Sequence, residues 1–122
     1  MEGDDDKNEK QQLFDQDAAT VFSLISHGNL SGAKEELQKL KEEAREEELN
    51  WQYYLLLEVS IEVYQDNISE ELLEKMVQAM ELTKPRLKYG DLCRELLTVR
   101  EANILGVMVV LYFKLEKEVI LK

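Results

Sequence analysis

The stretch from Leu97 to Phe113 constrains this chain more than any other. It reads Leu-Thr-Val-Arg-Glu-Ala-Asn-Ile-Leu-Gly-Val-Met-Val-Val-Leu-Tyr-Phe. Thr98 and Glu101 have the spacing of a capping box, in which the hydroxyl accepts from an orphan amide of the first turn and the carboxylate reaches back. A helix is therefore predicted to start at Val99. From Ile104 to Phe113 no residue is charged or strongly polar. A helix that is apolar all round must be surrounded by protein or lipid. The run is about half of the roughly 20 residues needed to span a bilayer, so protein is the expected cover. That cover must come from the preceding helices or from another chain.

Whether the preceding chain can supply it depends on composition. The 122 residues are 44% hydrophobic, enough for one domain with a real core. One proline and five glycines leave long segments rich in good helix formers. The 26 acidic against 15 basic residues give a net charge of −11. Such a chain is repelled by nucleic acid unless it carries a local basic patch. The densest basic stretch, Lys84, Arg86, Lys88, Arg94 and Arg100, is diluted by Asp91, Glu95 and Glu101, so no direct nucleic-acid contact is expected. The single cysteine, Cys93, permits no intrachain disulfide, which fits a reducing compartment. The acidic, polar N-terminus is unlike a signal peptide. A cytoplasmic location is the expectation, with no membrane partner.

Residues 1–12 are almost wholly polar and are expected to form a disordered acidic tail. Residues 13–122 are expected to form a single helical-repeat domain. Phe14, Ala18, Val21, Phe22 and Ile25 recur at helical spacing and predict a helix over about 14–26, stopped by Gly28. Asn29 can cap a second helix over about 30–47, with a narrow stripe of Leu30, Ala33, Leu37, Leu40 and Ala44 and a supporting Glu35–Lys39 pair. The third, over about 50–65, is apolar on most sides and should be central. Ser69 opens a fourth, to about Leu82. Pro85 disfavours helix at Lys84, so 84–97 reads as a connector with one short helical turn near Asp91–Leu96. The fifth helix spans about 99–115, and Glu118–Lys122 reads as the first turn of a sixth. The fold class is all-α: antiparallel helical hairpins in a tetratricopeptide-like array of about five helices.

Several segments carry a family resemblance. Gly28-Asn29-Leu30 with Leu37-Gln38-Lys39-Leu40 resembles the connector and first repeat helix of the helical C-terminal region of bacterial Cro/repressor-type helix-turn-helix regulators. Met80 to Pro85, Leu96-Leu97-Thr98 and Glu101 to Leu105 resemble their later connector and repeat. Lys114 to Lys117 resembles the turn before a repeat's second helix. The Rgg/MutR-type peptide-responsive regulators are the best-known relatives, and the resemblance covers roughly 14–122. It implies a peptide- or protein-binding module of a bacterial transcription regulator, acting in ligand sensing or dimerisation. The basic DNA-binding module of such regulators is absent from this sequence, so DNA binding is not carried over. The alternative is a stand-alone structural bundle with no ligand.

Catalytic chemistry finds little support. One histidine and one cysteine assemble no triad, and there is no phosphate-cradling loop or zinc spacing. His27 reads as a last-turn residue, and the glutamates from Glu42 to Glu48 as a solvated face. Glu58 and Glu62, on the most apolar helix, are the one carboxylate pair an enzyme reading can use, and it requires both to converge in a pocket. No enzyme, cofactor or metal is expected. The aromatic set Trp51, Tyr53, Tyr54 and Tyr64 can line a groove or simply fill a core. Trp51, Tyr54 and Glu58, with Asn103 as the backbone-clamping amide that the resemblance implies, are the candidate peptide-contacting residues. Val107, Met108, Val110 and Leu111 are the candidate seam of a homodimer.

Overall fold

The computed structural model describes residues 2–84 and 98–121, and the side chains of 9–84 and 98–116. It contains α1 (Glu2–Ser26), α2 (Leu30–Ala44), α3 (Glu48–Tyr64), α4 (Glu70–Glu81) and α5 (Val99–Leu121). No strand occurs among the described residues, and the class is all-α. None of the helices, over those residues, is long and apolar enough to cross a membrane.

Helix α1 follows its apolar stripe. Phe14, Ala18, Val21 and Ile25 are each no more than 2% exposed. Phe22 departs from expectation: it lies one residue, about 100°, off that stripe and is 57% exposed. The acidic N-terminal segment departs too, for α1 begins at Glu2 rather than near Phe14. Acidic residues in a first turn sit favourably in the helix dipole, and Lys, Glu and Gln are good helix formers. The turn after α1 needs a left-handed residue, and Gly28 supplies it with φ +81. Its N–H donates to Ile25, and that of Asn29 to Leu24, which closes a Schellman motif. Asn29 then caps α2 by accepting from the Gly32 amide at 3.1 Å.

Helix α2 ends at Ala44, short of the expected Glu47, and Lys39 pairs with Glu36 rather than Glu35. Asp66, at φ 59, closes a second Schellman motif behind α3, donating to Val63 while Asn67 donates to Glu62. Ser69 precedes α4 without a side-chain cap bond. Helix α5 runs unbroken to Leu121. The expected turn at Lys114–Lys117 and new helix at Glu118 are therefore replaced by continuous helix; no glycine or proline interrupts that segment. The expected short turn near Asp91–Leu96 and Cys93 lie outside the described residues.

Helix α3 packs against all four others, whereas among the described residues α2 meets neither α4 nor α5, and α1 does not meet α5. Three contacts fix directions. Gln11 of α1 donates to Asn50 at the start of α3, and Arg100 of α5 to the carbonyl of Leu49. Lys114 of α5 pairs with Asp66, just beyond the end of α3. Hence α1, α3 and α5 run parallel in one layer, and α2 and α4 return in a second.

The core has two clusters that meet at α3. One joins Phe14, Val21, Ile25, Leu37 and Leu40 to Tyr54, Leu57 and Ile61. The other joins Leu55 and Val59 to Met76, Met80, Ile104, Met108 and Leu111. A buried polar chain locks the second. Gln52 donates to the Ala79 carbonyl at 2.8 Å and to Thr83 Oγ1 at 2.9 Å. Thr83 donates to Glu101. Glu101 accepts from the Thr98 amide at 2.8 Å, and its own N–H donates to Thr98 Oγ1 at 3.0 Å. The capping box read from the sequence is present, with its carboxylate 1% exposed.

Candidate functional site: a groove between three parallel helices

A residue in a helix turns about 100° from its neighbour, so residues of α3 three, four or seven positions apart share a face and those two or five apart lie roughly opposite. Trp51, Tyr54, Glu58 and Glu62 share one face. Tyr53, Leu56, Ser60 and Val63 share the other.

The first face carries internal contacts beside a pit of about 310 Å³ edged by Lys34, Gln38, Tyr54, Glu58 and Glu62. Trp51 stacks on Tyr54 with centroids 5.0 Å apart, and Arg45 lies 5.7 Å over the indole. Tyr54 is buried; burial first, then the negative charge of Glu58 beside it, pushes its hydroxyl up to about 12. Glu58 is held by Lys75 of α4 at 2.6 Å, a bond that raises the lysine above its ordinary value. Glu62 instead accepts from Asn67 at 3.0 Å. The two carboxylates thus edge one pit but are engaged by different partners, Lys75 and Asn67. Three of the four candidate peptide-contacting residues lie here, between α2 and α4. The fourth, Asn103, does not: it lies across α3, on the side of α1 and α5.

That opposite side is open over a longer stretch, and its lining is more apolar. Two adjoining pits, of about 320 and 330 Å³, share Phe22, Leu56 and Asn103. The first is walled by Ser60, Val63, Gly106, Val107 and Val110. The second ends at Tyr53, Val99 and Arg100. Together they form one groove along the layer of α1, α3 and α5, of the size and apolar character typical of ligand sites. Arg100 closes one end, its guanidinium 4.5 Å over the Tyr53 ring. Burial raises the Tyr53 hydroxyl and Asp15 adds to this, against the lowering effect of Arg100. Ser60 donates to the Leu56 carbonyl. The Asn103 side chain is exposed, with no hydrogen-bond partner among the described residues, and its amide offers both donors and an acceptor to whatever enters.

Sequence reasoning named Tyr53 among the aromatics that can line a groove but missed Phe22, Leu56, Ser60 and Arg100 as its neighbours there. The signal was present in the spacing 53, 56, 60, 63, which marks an apolar face distinct from 51, 54, 58. It was hidden because α3 is apolar nearly all round.

The four seam candidates divide by the same rule. Met108 and Leu111 are buried at 3% and 0% exposure in the second core cluster, so they are core side chains of this chain and unavailable to a partner. Val107 is half-buried in the groove wall, and Val110 is 41% exposed at its rim. The large apolar side chains that α5 does expose there are Val109, Tyr112 and Phe113. His27 is exposed and hydrogen-bonds the Ser23 carbonyl through Nδ1 at 2.7 Å. No cluster of three or more metal-ligating side chains occurs among the described residues.

Gly106 stands in the floor of the groove, where a Cβ would meet nothing within 4 Å. Gly106→Ala should therefore raise the unfolding free energy by about 0.5–1 kcal/mol, the entropic cost of glycine inside a helix. Urea titration at low protein concentration checks this.

Comparison with protein-family models, curated proteins and solved structures returned no match.

Proposed function

We propose that this chain is a non-catalytic helical-array module that binds a peptide or protein segment in the groove between α1, α3 and α5. The observation that carries this reading is the groove itself: exposed Phe22 and Val110 flank an unpartnered Asn103 amide. Apolar walls supply binding energy, and an amide between two pits can bond the main chain of an extended segment while its side chains fill the pits. The absence of charge on most of the lining favours an apolar segment over a charged one. The resemblance to peptide-responsive regulators supports placing the module in bacterial transcription control, in the cytoplasm, with DNA contacts made by another module.

The test is calorimetric titration with a panel of short apolar-rich peptides. Phe22→Ala should weaken any binder about tenfold or more, as expected for an aromatic anchor. It should shift the melting temperature little, because the ring is already more than half exposed. Equal binding by the variant, or no binding across the panel, would count against the groove.

A further inference from the structure

Helix α5 carries an exposed stripe that begins in the groove wall, at Val99, Ala102 and Gly106, and leaves it at Val109 and Phe113. Val99, Ala102, Gly106, Val109, Phe113 and Glu116 are all exposed, and they recur at steps of three and four. That is the a/d spacing of a coiled-coil seam over two heptads. The stripe is uncharged up to Glu116. Its residues are small in the N-terminal half after Val99, and large at Val109 and Phe113.

We propose that this stripe pairs with the same stripe of a second copy, running antiparallel. In that arrangement Phe113 lies over Ala102 of the other copy and Val109 over its Gly106, so large side chains enter the space left by small ones. The relation is its own inverse, as a two-fold interface requires. Gly106 has room for it, since nothing lies within 4 Å of where its Cβ would be. A chain of net charge −11 repels its own copies, so pairing requires a face that sets no carboxylates against each other; the stripe is uncharged from Val99 to Phe113, and in this register Glu116 falls opposite Val99.

The area sets the strength. Val99, Val109, Val110 and Phe113 are 80%, 60%, 41% and 66% exposed. At 150–250 Å² for an aromatic side chain and less for valine, they offer roughly 400 Å² per copy. Two copies then bury about 800 Å², short of the roughly 1,000 Å² of a stable specific interface, which sets a weak, reversible dimer. Val99, Ala102 and Gly106 also line the pits, so the dimer covers part of the groove wall; Val109 and Phe113 line neither pit, so substitution there tests the dimer while leaving the groove of each chain intact.

Sedimentation equilibrium over low to high micromolar concentrations should show a monomer–dimer transition. Val109→Glu should move its midpoint about tenfold or more toward higher concentration, because a carboxylate would be buried without a partner, and helical circular dichroism should be unchanged. Orientation is read by cross-linking in a Cys93→Ser background. Chains carrying Gly106→Cys mixed with chains carrying Val109→Cys should form a mixed disulfide dimer faster than either forms alone. A monomer throughout the range would overturn the proposal, as would an unaltered dimer in Val109→Glu or the absence of preferential mixed cross-linking.

Discussion

Leu111→Ala should lower the unfolding free energy by about 2–5 kcal/mol, the range for a buried leucine whose cavity only partly collapses. Leu111 is wholly enclosed, in a cluster with Ile104, Met108, Met76 and Met80. A small domain has only about 5–15 kcal/mol in total, so the variant should unfold at clearly lower urea. Val109 is only two positions away yet 60% exposed. A polar substitution there should stay within about 0.5 kcal/mol when measured at concentrations that keep the chain monomeric. Urea titrations of the two variants, followed by far-ultraviolet circular dichroism, check the contrast. Similar losses at both positions would mean that α5 is covered on more sides than the described contacts show.

That contrast marks how far the sequence could be read. The helices were legible because their stripes have helical period and their ends carry chemical signals: Gly28, Asn29, Asp66-Asn67 and the Thr98–Glu101 box. The start of α1 was not, because Glu, Asp and Lys support a helix and a solvated coil almost equally well. The end of α5 was misread for a related reason. Lys114 to Lys117 resembles a repeat turn in residue type, but it contains no residue that stops a helix.

The site was less legible than the fold. Helices α3 and α5 are apolar on most faces, so periodicity alone cannot say which face meets the core. Trp51 and Tyr54 attract notice as large aromatics, yet they stack on each other and the pit beside Tyr54 is edged by the polar Lys34, Gln38, Glu58 and Glu62 rather than by apolar walls. Leu56 and Ser60 attract none, yet they line the open groove. The choice is made by tertiary topology: among the described residues α1 and α5 flank α3 without packing backbone to backbone, and the gap between them falls on the side of Tyr53 and Ser60.

The polar lock at the head of α5 gives the second large effect. Glu101→Ala should cost about 3 kcal/mol. It removes hydrogen bonds to a charged group, each worth about 1.5–3 kcal/mol, and leaves the Thr98 amide and the Thr83 hydroxyl short of a partner. Glu101→Gln should cost less. Its carbonyl oxygen can still accept one of the two bonds, and the Thr83 hydroxyl can rotate to accept from the new amide. The pH dependence separates a charge effect from a packing effect. Burial raises the Glu101 carboxyl, but hydrogen bonds from Thr83 and Thr98 and the nearby charge of Lys84 outweigh it, and the group lies below the ordinary value of 4.5. A carboxylate depressed in the folded state contributes stability above its unfolded value, and that contribution is lost as pH falls through the folded one. The stability difference between the native chain and Glu101→Gln should accordingly be flat from neutral pH down to about 4.5 and shrink below it. Paired urea titrations between neutral and acidic pH measure it. A difference that stays constant to the acid limit would mean that the lock holds α5 by shape and neutral hydrogen bonds, not by the charge of Glu101.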